Sequence, residues 1–573
     1  MNMTEYQLNY ERWLAEPTVD GDVKEELRAI ISEEDKKMRF GGYMSFGTAG
    51  LRSVMGAGTA YMNLYTVAHA TEGLARLILK TPGGKERGTA ICYDSRNNSA
   101  AFARRAAEVL SADGIRVFLF PALRPTPVVS FAMRELGCIA GINITASHNP
   151  SEYNGYKVYW EDGGQLPPDH AATVAAEIAA VDIFRDVPAP EKANPALITM
   201  TDGTLDDAYV QNVLGEAVNP DAIPAVADEL AIVYTPLHGA GATLVPRVLK
   251  EAGLKKLYTV EEQMAPNGDF PTLKFPNPEF PEAFTLGKAL AEQVGSDLIV
   301  ATDPDADRVG AMAKDKNGEF RCITGNQMGA LLLEYICTAY ENTDKMPEEP
   351  YAVKTIVTSE LSARVCAAHN VKLYNVLTGF KFIGEVIKKH EEEGHGAFLL
   401  GFEESYGYLK GTYARDKDAV VASLLICEMA AYYKTRGMTL IDALEELFVK
   451  YGCFRENVFS IGMTGADASE KMAALMQRLR ATPPTAMGDK KLAQFRDYKA
   501  ETVLDLRTGE KSSTGLPKSD VLYYLCEDDN LVVVRPSGTE PKVKVYVLAN
   551  GADMNAAQEN ADICTTAVKE MLQ

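Results

Sequence analysis

The sequence predicts an α/β protein of about four domains, and two observations support that prediction. The chain has 573 residues, nearly four times the roughly 150 residues of a typical domain. Residues 101–120, 244–260 and 359–376 each combine an amphipathic helix pattern, a break of small residues and an apolar strand pattern. Because these stretches are spaced at about the size of a domain, we expect one α/β unit in each of three consecutive domains.

Breaks in the pattern divide the chain into four predicted domains. Turn-forming residues are frequent in residues 188–207, and a strand pattern ends just before Gly325. A helix pattern over residues 440–450 is followed by the alternating apolar and polar residues that are typical of strands. The predicted domains are therefore residues 1–205, 206–324, 325–453 and 454–573.

Composition and charge exclude several classes of protein. Hydrophobic residues make up 46% of the chain and charged residues 24%, as in ordinary soluble globular proteins. The 79 acidic residues outnumber the 58 Lys and Arg residues, which gives a formal net charge of −21. Such a charge repels nucleic acid and anionic membrane surfaces, so we expect neither as a partner. An anionic substrate would require a local cluster of Lys and Arg.

The sequence also predicts a cytoplasmic location without a membrane span. The N-terminus lacks a basic segment followed by an apolar one, and so does not resemble a signal peptide. The most apolar run, residues 419–427, is well short of the roughly 18 residues of a membrane span, and we expect it to form a buried helix. The nine cysteines are scattered without a C-x-x-C pair, which indicates reduced residues of the core. The oligomeric state is not predicted.

The first candidate loop lies in residues 142–150 (INITASHNP), where an apolar strand pattern leads into a polar turn. Such a turn leaves the hydroxyl of Ser147 at an exposed strand end, where it could act as a nucleophile or carry a phosphate. A turn that serves only the backbone is the alternative. Serine hydrolase chemistry is disfavoured, because there is no G-x-S-x-G motif and His148, as the sequence neighbour of Ser147, is badly placed to act as its in-line base.

The second loop carries three aspartates at alternate positions. Residues 297–308 (DLIVATDPDADR) place Asp303, Asp305 and Asp307 directly after an apolar strand pattern. Three carboxylates on one loop suit Mg²⁺, which prefers oxygen ligands. A solvated acidic turn is the alternative. A calcium EF-hand does not fit, since Arg308 and Lys314 would replace the required Gly and Glu.

Two further polar loops follow apolar strand patterns. In residues 394–407, Glu403, Glu404 and Ser405 could bind sugar hydroxyls, although acidic residues at such a place are often only solvated. Residues 531–546 place a loop with the hydrogen-bond donors for a phosphate dianion between two strands. A plain hairpin turn is the alternative for this last loop. Its candidate donors are Arg535, Ser537, the backbone of Gly538, and Thr539.

The four loops together, in this order, strongly resemble those of the α-D-phosphohexomutase superfamily. The resemblance extends from residues 46–52 (FGTAGLR) to residues 535–541 (RPSGTEP). It implies four domains around a central cleft, of which three are similar mixed α/β domains and the last is a smaller α+β domain. It also implies an enzyme that is phosphorylated on Ser147, with one Mg²⁺ held by Ser147, Asp303, Asp305 and Asp307.

The resemblance further implies candidates for proton transfer and substrate binding. Lys157 matches the N-G-x-K motif of the family and Lys417 matches R-x-K-D, and either lysine could be the acid or base or a phosphate contact. A lysine among cations and a metal could have a lowered pKa, as proton exchange requires. His148 and Arg308 are grouped with the catalytic residues. The substrate-binding candidates are Arg52, Thr378, Gly379, Lys381, Glu403, Ser405, Arg415, Arg535, Ser537, Gly538 and Thr539. With Arg96, Arg124 and Lys542, the basic residues of these motifs supply the required cationic cluster.

The sugar loop resembles that of phosphoglucomutases more than that of dual phosphomannomutases. Phe402 and the motifs around it are similar to a branch that includes phosphopentomutases, glucose-1,6-bisphosphate synthases and bacterial α-phosphoglucomutases. We therefore expect interconversion of glucose 1-phosphate and glucose 6-phosphate, with glucose 1,6-bisphosphate as activator and intermediate. Pentose and mannose phosphates are the alternative substrates. A phosphatase would instead release inorganic phosphate, and a sugar-phosphate sensor would lack catalytic residues that are present here.

Overall fold

The computed structural model describes residues 3–47, 50–463, 468–537 and 542–573. Three short helices precede the first sheet: α1 (Glu5–Ala15), α2 (Gly21–Arg28) and α3 (Glu33–Phe40). They close around Trp13 and Phe40, which are both buried and lie edge to face. Arg39 of α3 fastens this unit to the following domain through the carbonyl of Ala57.

The first domain is a six-stranded mixed sheet with helices packed against it. The strand order is β1-β5-β4-β2-β3-β6. Strand β5 pairs antiparallel with both β1 and β4, and the other pairs are parallel. Its elements are β1 (Leu51–Val54), α4 (Leu64–Lys80), α5 (Gly84–Arg87), β2 (Thr89–Tyr93), α6 (Ser99–Ala112), β3 (Val117–Leu119), α7 (Thr126–Leu136), β4 (Ala140–Ile144), β5 (Tyr153–Trp160), α8 (Pro168–Ala180) and β6 (Ile198–Met200).

The second domain is a five-stranded sheet in the order β11-β10-β9-β7-β8. Parallel pairing of β7 with β8 and β9 gives way to an antiparallel edge formed by β10 and β11. Its elements are α9 (Gly203–Gly215), α10 (Ala222–Ala225), β7 (Ala231–Thr235), α11 (Gly241–Glu251), β8 (Lys256–Thr259), α12 (Glu261–Met264), α13 (Thr285–Val294), β9 (Leu298–Thr302), β10 (Val309–Lys314) and β11 (Phe320–Ile323).

The third domain is a four-stranded sheet in the order β13-β12-β14-β15, with only the pair of β14 and β15 antiparallel. The apolar run at residues 419–427 is part of a buried helix, as predicted. The elements are α14 (Gly325–Asn342), β12 (Pro350–Thr355), α15 (Leu361–Ala368), β13 (Lys372–Val376), α16 (Phe380–Glu393), β14 (Ala397–Glu403), β15 (Gly407–Leu409), α17 (Ala419–Lys434) and α18 (Leu440–Tyr451).

The fourth domain is an antiparallel sheet with two helices, which matches the predicted change of periodicity. Its strand order is β16-β23-β22-β21-β18-β19-β20, and β17 pairs with β18. The elements are β16 (Cys453–Gly462), α19 (Ala468–Ala481), β17 (Ala486–Met487), β18 (Lys490–Asp497), β19 (Thr502–Asp505), β20 (Lys511–Ser513), β21 (Leu522–Cys526), β22 (Leu531–Pro536), β23 (Lys542–Gly551) and α20 (Met554–Leu572).

The predicted fold class is confirmed, because three mixed α/β sheets are followed by an antiparallel α+β domain. The three repeated sequence units correspond to the pairs α6–β3, α11–β8 and α15–β13. One expectation fails: Cys322 is exposed, whereas the other eight cysteines are buried. Among the residues that the structure describes, no helix is both long and apolar enough to cross a membrane.

Candidate active site

Ser147 lies in the turn that follows β4, at the carboxyl end of the strand. Its backbone is left-handed, with φ of 52°. The side chain is buried, and not exposed as the sequence predicted, because the aspartate loop of the second domain covers it. The hydroxyl donates a hydrogen bond of 2.7 Å to Oδ2 of Asp303, in a different domain. The Nδ1 atom of His148 lies 3.2 Å from the same hydroxyl. Burial, together with the charges of Arg308 and Arg52, lowers the pKa of His148 well below its ordinary value, so this imidazole is neutral.

Arg96 holds the serine turn in place through its backbone. Its guanidinium donates hydrogen bonds to the carbonyl oxygens of Ser147 at 2.5 Å, Pro150 at 2.8 Å and Tyr153 at 2.9 Å. A further bond reaches the carbonyl of Asn149. The sequence placed Arg96 in a cationic cluster for substrate, but these four carbonyls accept from its Nη1 and Nη2 atoms, and Nε lies 3.5 Å from Asp94. Arg96 therefore serves the conformation of the turn.

The three aspartates converge after β9, as their spacing predicted. All three are buried, and one carboxylate oxygen from each lies within 4.8 Å of the others. The first domain contributes to holding them, since Thr126 Oγ1 donates to Oδ2 of Asp305 at 2.8 Å. The same oxygen accepts a hydrogen bond of 2.8 Å from Nζ of Lys157. The serine turn and the aspartate loop thus form one continuous site.

This cluster has the donor set of a divalent metal site. The Oδ1 atoms of Asp305 and Asp307 are buried and accept no hydrogen bond, and the nearest cation to the latter is Nε of Arg308 at 3.8 Å. Burial and the neighbouring carboxylates raise the pKa of Asp303 well above its ordinary value. For Asp305, burial acts in the same direction, but the charge of Lys157 prevails and lowers the pKa. A bound cation would compensate the negative charge of these three buried aspartates.

Two buried lysines lie on either side of Asp307. Nζ of Lys157 is 3.2 Å and Nζ of Lys417 is 3.1 Å from the Oδ2 atom of Asp307. Burial acts to lower the pKa of each lysine, but the surrounding carboxylates outweigh it and raise both. The lowered pKa expected from the sequence supposed a metal among the cations, and the carboxylates of the aspartate loop act in the opposite direction. The cause is that aspartates, and not cations, are the nearest neighbours.

Arg308 connects the aspartate loop to the predicted sugar loop. Its Nη1 atom donates at 2.8 Å to Oε1 of Glu279 and at 2.8 Å to the carbonyl oxygen of Ser405. Glu279 was not found from the sequence. It lies in residues 276–281 (PNPEFP), where the prolines indicate a loop but give no direction to its side chains.

The sugar loop places its two glutamates in different surroundings. Glu403, at the end of β14, accepts a hydrogen bond of 2.9 Å from the backbone N–H of Gly379, next to Thr378. Glu404 points into the domain, where Thr355 donates to it at 3.2 Å. Burial, and then the charge of Glu403, raise the pKa of Glu404 to about 7. Glu403 is therefore the glutamate that faces the loop of Thr378 and Gly379.

The fourth domain reaches the third through Arg535, whose Nη1 donates a hydrogen bond to Thr378 Oγ1. Gly538 and Thr539 lie outside the described residues, and Ser537 is the last described residue before them. Lys381 is near the same loop, with Nζ 4.7 Å from the centroid of Phe382, and burial lowers its pKa. The hydrogen bond of Arg535 brings the described start of the predicted phosphate loop, residues 535–537, to the edge of the third domain.

Some predicted residues contact other groups. Arg52 donates to Oδ1 of Asn149 at 3.0 Å, beside the serine turn. The guanidinium of Arg415 binds Glu391 of α16 and the carbonyl of Thr412, away from the aspartate loop.

Arg124 lies outside the predicted cationic cluster, because its guanidinium forms an ion pair of 2.7 Å with Asp206 of the next domain. Asp416 and Tyr159, which meet at 2.8 Å, were missed by the sequence analysis because 257 residues separate them.

Family models for four consecutive domains match most of the chain. They are described as phosphoglucomutase/phosphomannomutase alpha/beta/alpha domains I, II and III and C-terminal domain. They match residues 43–183, 207–318, 324–451 and 485–564, respectively.

Individual relatives agree with these models. A Staphylococcus saprophyticus protein named phosphoglucomutase is 34% identical over 519 residues, which are 90% of this chain and 92% of that protein. A phosphoglucomutase of Staphylococcus aureus strain MRSA252 is 36% identical over 520 residues, 90% of this chain and 91% of its own length.

Solved structures share the fold at lower identity. A putative phosphomannomutase from Thermus thermophilus has a TM-score of 0.65 at 22% identity, with 92% of this chain and 99% of that chain covered. Parafusin from Paramecium, in an open form, has a TM-score of 0.64 at 17% identity, with 92% and 96% covered. With four family models matched in order and relatives above 30% identity over nine-tenths of its length, the chain belongs to the phosphoglucomutase/phosphomannomutase family of the α-D-phosphohexomutase superfamily.

Proposed function

We propose that this chain is a phosphoglucomutase, which interconverts glucose 1-phosphate and glucose 6-phosphate through a phosphorylated Ser147. The observation that carries the proposal is the hydrogen bond of 2.7 Å between the Ser147 hydroxyl and Asp303, within a cluster of three aspartates. A serine hydroxyl at a metal-type site is suited to carry a phosphoryl group. The Staphylococcus relatives named phosphoglucomutase support glucose as the sugar.

In the proposed reaction the phosphoryl group moves from Ser147 to a sugar hydroxyl. The bond between phosphorus and Ser147 Oγ breaks while a bond to the sugar oxygen forms, and the hydroxyl proton passes to a base. Lys157 and Lys417, which both contact Asp307, are the candidate acid and base, and the base would act as the neutral amine. A cation bound by the aspartates would counteract the carboxylates that raise the pKa values of both lysines. Glucose 1,6-bisphosphate then turns over in the cleft and returns its other phosphoryl group to Ser147. The two transfers balance, so phosphate changes position without being released.

We assign Mg²⁺ to Asp303, Asp305, Asp307 and the oxygen on Ser147, since hard oxygen ligands suit this ion. When bound, it would neutralise part of the charge on the transferring phosphoryl group. The site residues themselves orient the reactants, because Thr126 fixes Asp305 and Arg96 fixes the serine turn.

The remaining candidates form the proposed substrate site. Glu403 and Ser405 would accept and donate hydrogen bonds with sugar hydroxyls, and Arg535 would bind the phosphate that is not transferred. Ser537, Gly538 and Thr539 would complete that phosphate site, and Arg52, Thr378, Gly379, Lys381 and Arg415 belong to the same proposal. His148 and Arg308 are proposed to assist catalysis. The four loops come from the proposed domains at residues 1–205, 206–324, 325–453 and 454–573, in a protein that we place in the cytoplasm.

A comparison of three substrates tests this function. The kcat/KM values for glucose 1-phosphate, mannose 1-phosphate and ribose 1-phosphate should be measured with Mg²⁺ and a trace of the matching bisphosphate. We expect a clear preference for glucose 1-phosphate, with glucose 6-phosphate as product. A preference for ribose 1-phosphate would make the enzyme a phosphopentomutase. Release of inorganic phosphate would indicate a phosphatase, and inactivity on all three would indicate a sensor.

A further inference from the structure

Asp416 is a buried carboxylate that lies between the first domain and Lys417. We propose that Asp416 is the positioning residue for Lys417 and that it holds the lysine ammonium group against the aspartate loop. The inference rests on the proposed function, in which Lys417 acts on the sugar phosphate. It assigns a task to a residue that touches none of the three aspartates within hydrogen-bond distance.

The hydrogen bonds of Asp416 account for its whole acceptor capacity. Its Oδ1 atom accepts from Nζ of Lys417 at 2.9 Å and from the backbone N–H of Lys417 at 2.8 Å. Its Oδ2 atom accepts from the hydroxyl of Tyr159 at 2.8 Å and from Nε2 of Gln165 at 3.1 Å. A carboxylate has about four acceptor positions, so this side chain is fully engaged while completely buried.

The side chain of Lys417 is also confined along its aliphatic part. A Cβ atom added at Gly407 would lie only 2.1 Å from Cδ and 2.6 Å from Cγ of the lysine, so the chain runs directly over the glycine backbone. The ring of Phe380 lies 5.5 Å from Nζ. With the stem confined in this way, the position of Nζ is set by its two carboxylate partners, Asp416 at 2.9 Å and Asp307 at 3.1 Å.

Both lysines of the site are held by the same strand. Lys157 and Tyr159 lie two residues apart on β5, so their side chains point to the same face. Lys157 contacts the aspartate loop directly, whereas Tyr159 holds Asp416, which in turn holds Lys417. Strand β5 therefore fixes both ammonium groups relative to Asp307, although Lys417 itself belongs to the third domain. Displacement of Lys417 would change the distance between the Nζ atoms of Lys157 and Lys417, the two candidate proton-transfer groups.

A double-mutant cycle tests this assignment. We expect Asp416→Asn to lower kcat/KM on the order of 10- to 100-fold, as is typical when a residue that orients a functional group is changed. In a Lys417→Met background the same substitution should cause no further loss, because its effect passes through Lys417. A merely structural role for Asp416 would instead give multiplicative losses in the double variant, which would overturn the inference.

Asp418 offers a matched control, since it is also buried and accepts two tyrosine hydroxyls, those of Tyr209 at 2.7 Å and Tyr413 at 2.6 Å. It does not contact Lys417 Nζ, so any loss caused by Asp418→Asn should be multiplicative with that of Lys417→Met.

A crystal structure of the Asp416→Asn variant provides a readout that does not depend on which sugar phosphate is converted. We expect Nζ of Lys417 to move away from Asp307. An unmoved Nζ would overturn the inference even if the enzyme proves to be a phosphoglucomutase. If the wild type converts no sugar phosphate, the proposed function fails, while a displaced Nζ still supports the positioning role.

Discussion

Three residues in the candidate-site loops have left-handed backbones although none is a glycine. The φ angles are 52° for Ser147, 49° for Ala306 and 65° for Tyr406. Such a conformation costs about 1 to 2 kcal/mol for an ordinary L-residue. Hydrogen bonds hold each one in place, for example the bond of 3.0 Å from the N–H of Val309 to the carbonyl of Tyr406. The strained residues occur in the loops of three different domains that meet at the site.

The central residue prediction concerns Ser147. We expect Ser147→Ala to abolish turnover, because it removes the oxygen that would carry the phosphoryl group. The change should also lower the thermal unfolding temperature, since it removes the hydrogen bond to the buried Asp303 and leaves that acceptor unsatisfied, at a cost of about 1 to 3 kcal/mol. A mutase assay and thermal unfolding followed by circular dichroism check both parts. A variant with the wild-type rate would contradict the phosphoserine mechanism.

A second residue prediction concerns the metal. We expect Asp305→Asn to raise the Mg²⁺ concentration needed for half-maximal activity at least about tenfold, because it removes one negative charge from the site. Titration of activity with Mg²⁺ measures this effect. Asp297→Asn, on the loop that precedes β9 and paired with Lys434 at 2.9 Å, is the matched control and should leave the Mg²⁺ requirement unchanged. Equal Mg²⁺ requirements for Asp305→Asn and wild type would refute the metal assignment.

At this scale, the sequence predicts residues that lie in recognisable motifs and misses the residues that hold them. The hydrogen bond of Ser147 with Asp303 joins two such motifs, so both partners were expected in one site. Glu279 and Asp416 are single acidic residues, and only the fold brings their partners near. The pKa directions of Lys157 and Lys417 depend on carboxylate distances, which no sequence pattern provides.

At the scale of elements, Phe402 of β14 depends on a glycine in α14. A Cβ atom at Gly329 would lie 2.1 Å from the ring of Phe402, so the helix has room for this ring only because the residue is glycine. In the sequence, Phe402 is one of the features similar to a particular branch of the family. In the structure, Phe402 and Gly329 are a pair of residues that fit together between helix and strand.

We therefore expect Gly329→Ala to destabilise the protein by about 1 to 3 kcal/mol through overpacking, in spite of the higher helix propensity of alanine. Chemical denaturation measures the change in the free energy of unfolding. Gly215→Ala, where nothing lies within 4 Å of the added Cβ, is the control and should be neutral or stabilising. A gain of stability in both variants would contradict the tight contact between Gly329 and Phe402.

A second prediction for elements concerns the junction of α14 with α18. His369 lies between two carboxylates, with Nε2 3.0 Å from Glu334 and Nδ1 2.7 Å from Glu341. Glu334 also binds Lys450 at 2.8 Å and the hydroxyl of Tyr451 at 2.8 Å. The hydrogen bond that His369 donates to Glu334 raises the pKa of His369, with a smaller opposing effect of burial and a further rise from Glu341.

Because the folded-state pKa of His369 is raised, its stabilising contribution is complete below about pH 6.5 and disappears as the pH rises through the higher folded value. The difference in unfolding temperature between wild type and His369→Gln should therefore be largest at low pH and shrink at alkaline pH. Thermal scans across this range measure it. A difference that grows with pH would contradict this arrangement of charges.

At the scale of the whole molecule, one hydrophobic cluster runs through the first three domains and reaches Phe454 at the start of the fourth. Phe131, Tyr209 and Leu331, from helices of three successive domains, belong to this cluster. A further cluster joins the third and fourth domains, where Val357 packs with Val533. Leu492 belongs to a separate cluster inside the fourth domain. The sequence predicted the number and class of the domains from periodicity, but not this sharing, because periodicity reports which face is buried and not what covers it. The three N-terminal helices and the antiparallel edge strands were missed for the same reason.

We expect the cluster inside the fourth domain to give a second unfolding transition in calorimetry, because only part of the apolar surface of that domain packs against the third domain. Leu331→Ala and Leu492→Ala each remove a buried side chain and should destabilise their own unit by about 2 to 5 kcal/mol. We expect Leu331→Ala to lower the transition of the first three domains and Leu492→Ala to lower the other. Equal shifts of one single transition for both variants would show that all four domains unfold together.

Under the proposed function, the depth of Ser147 limits which molecules can deliver its first phosphoryl group. The residue exposes only 3% of its surface, so in the folded chain the active site of a protein kinase has no access to the hydroxyl. The donor would have to be a molecule small enough to enter the cleft, and a hexose that carries two phosphates meets this requirement. Activity assays started without such a donor should therefore show a lag.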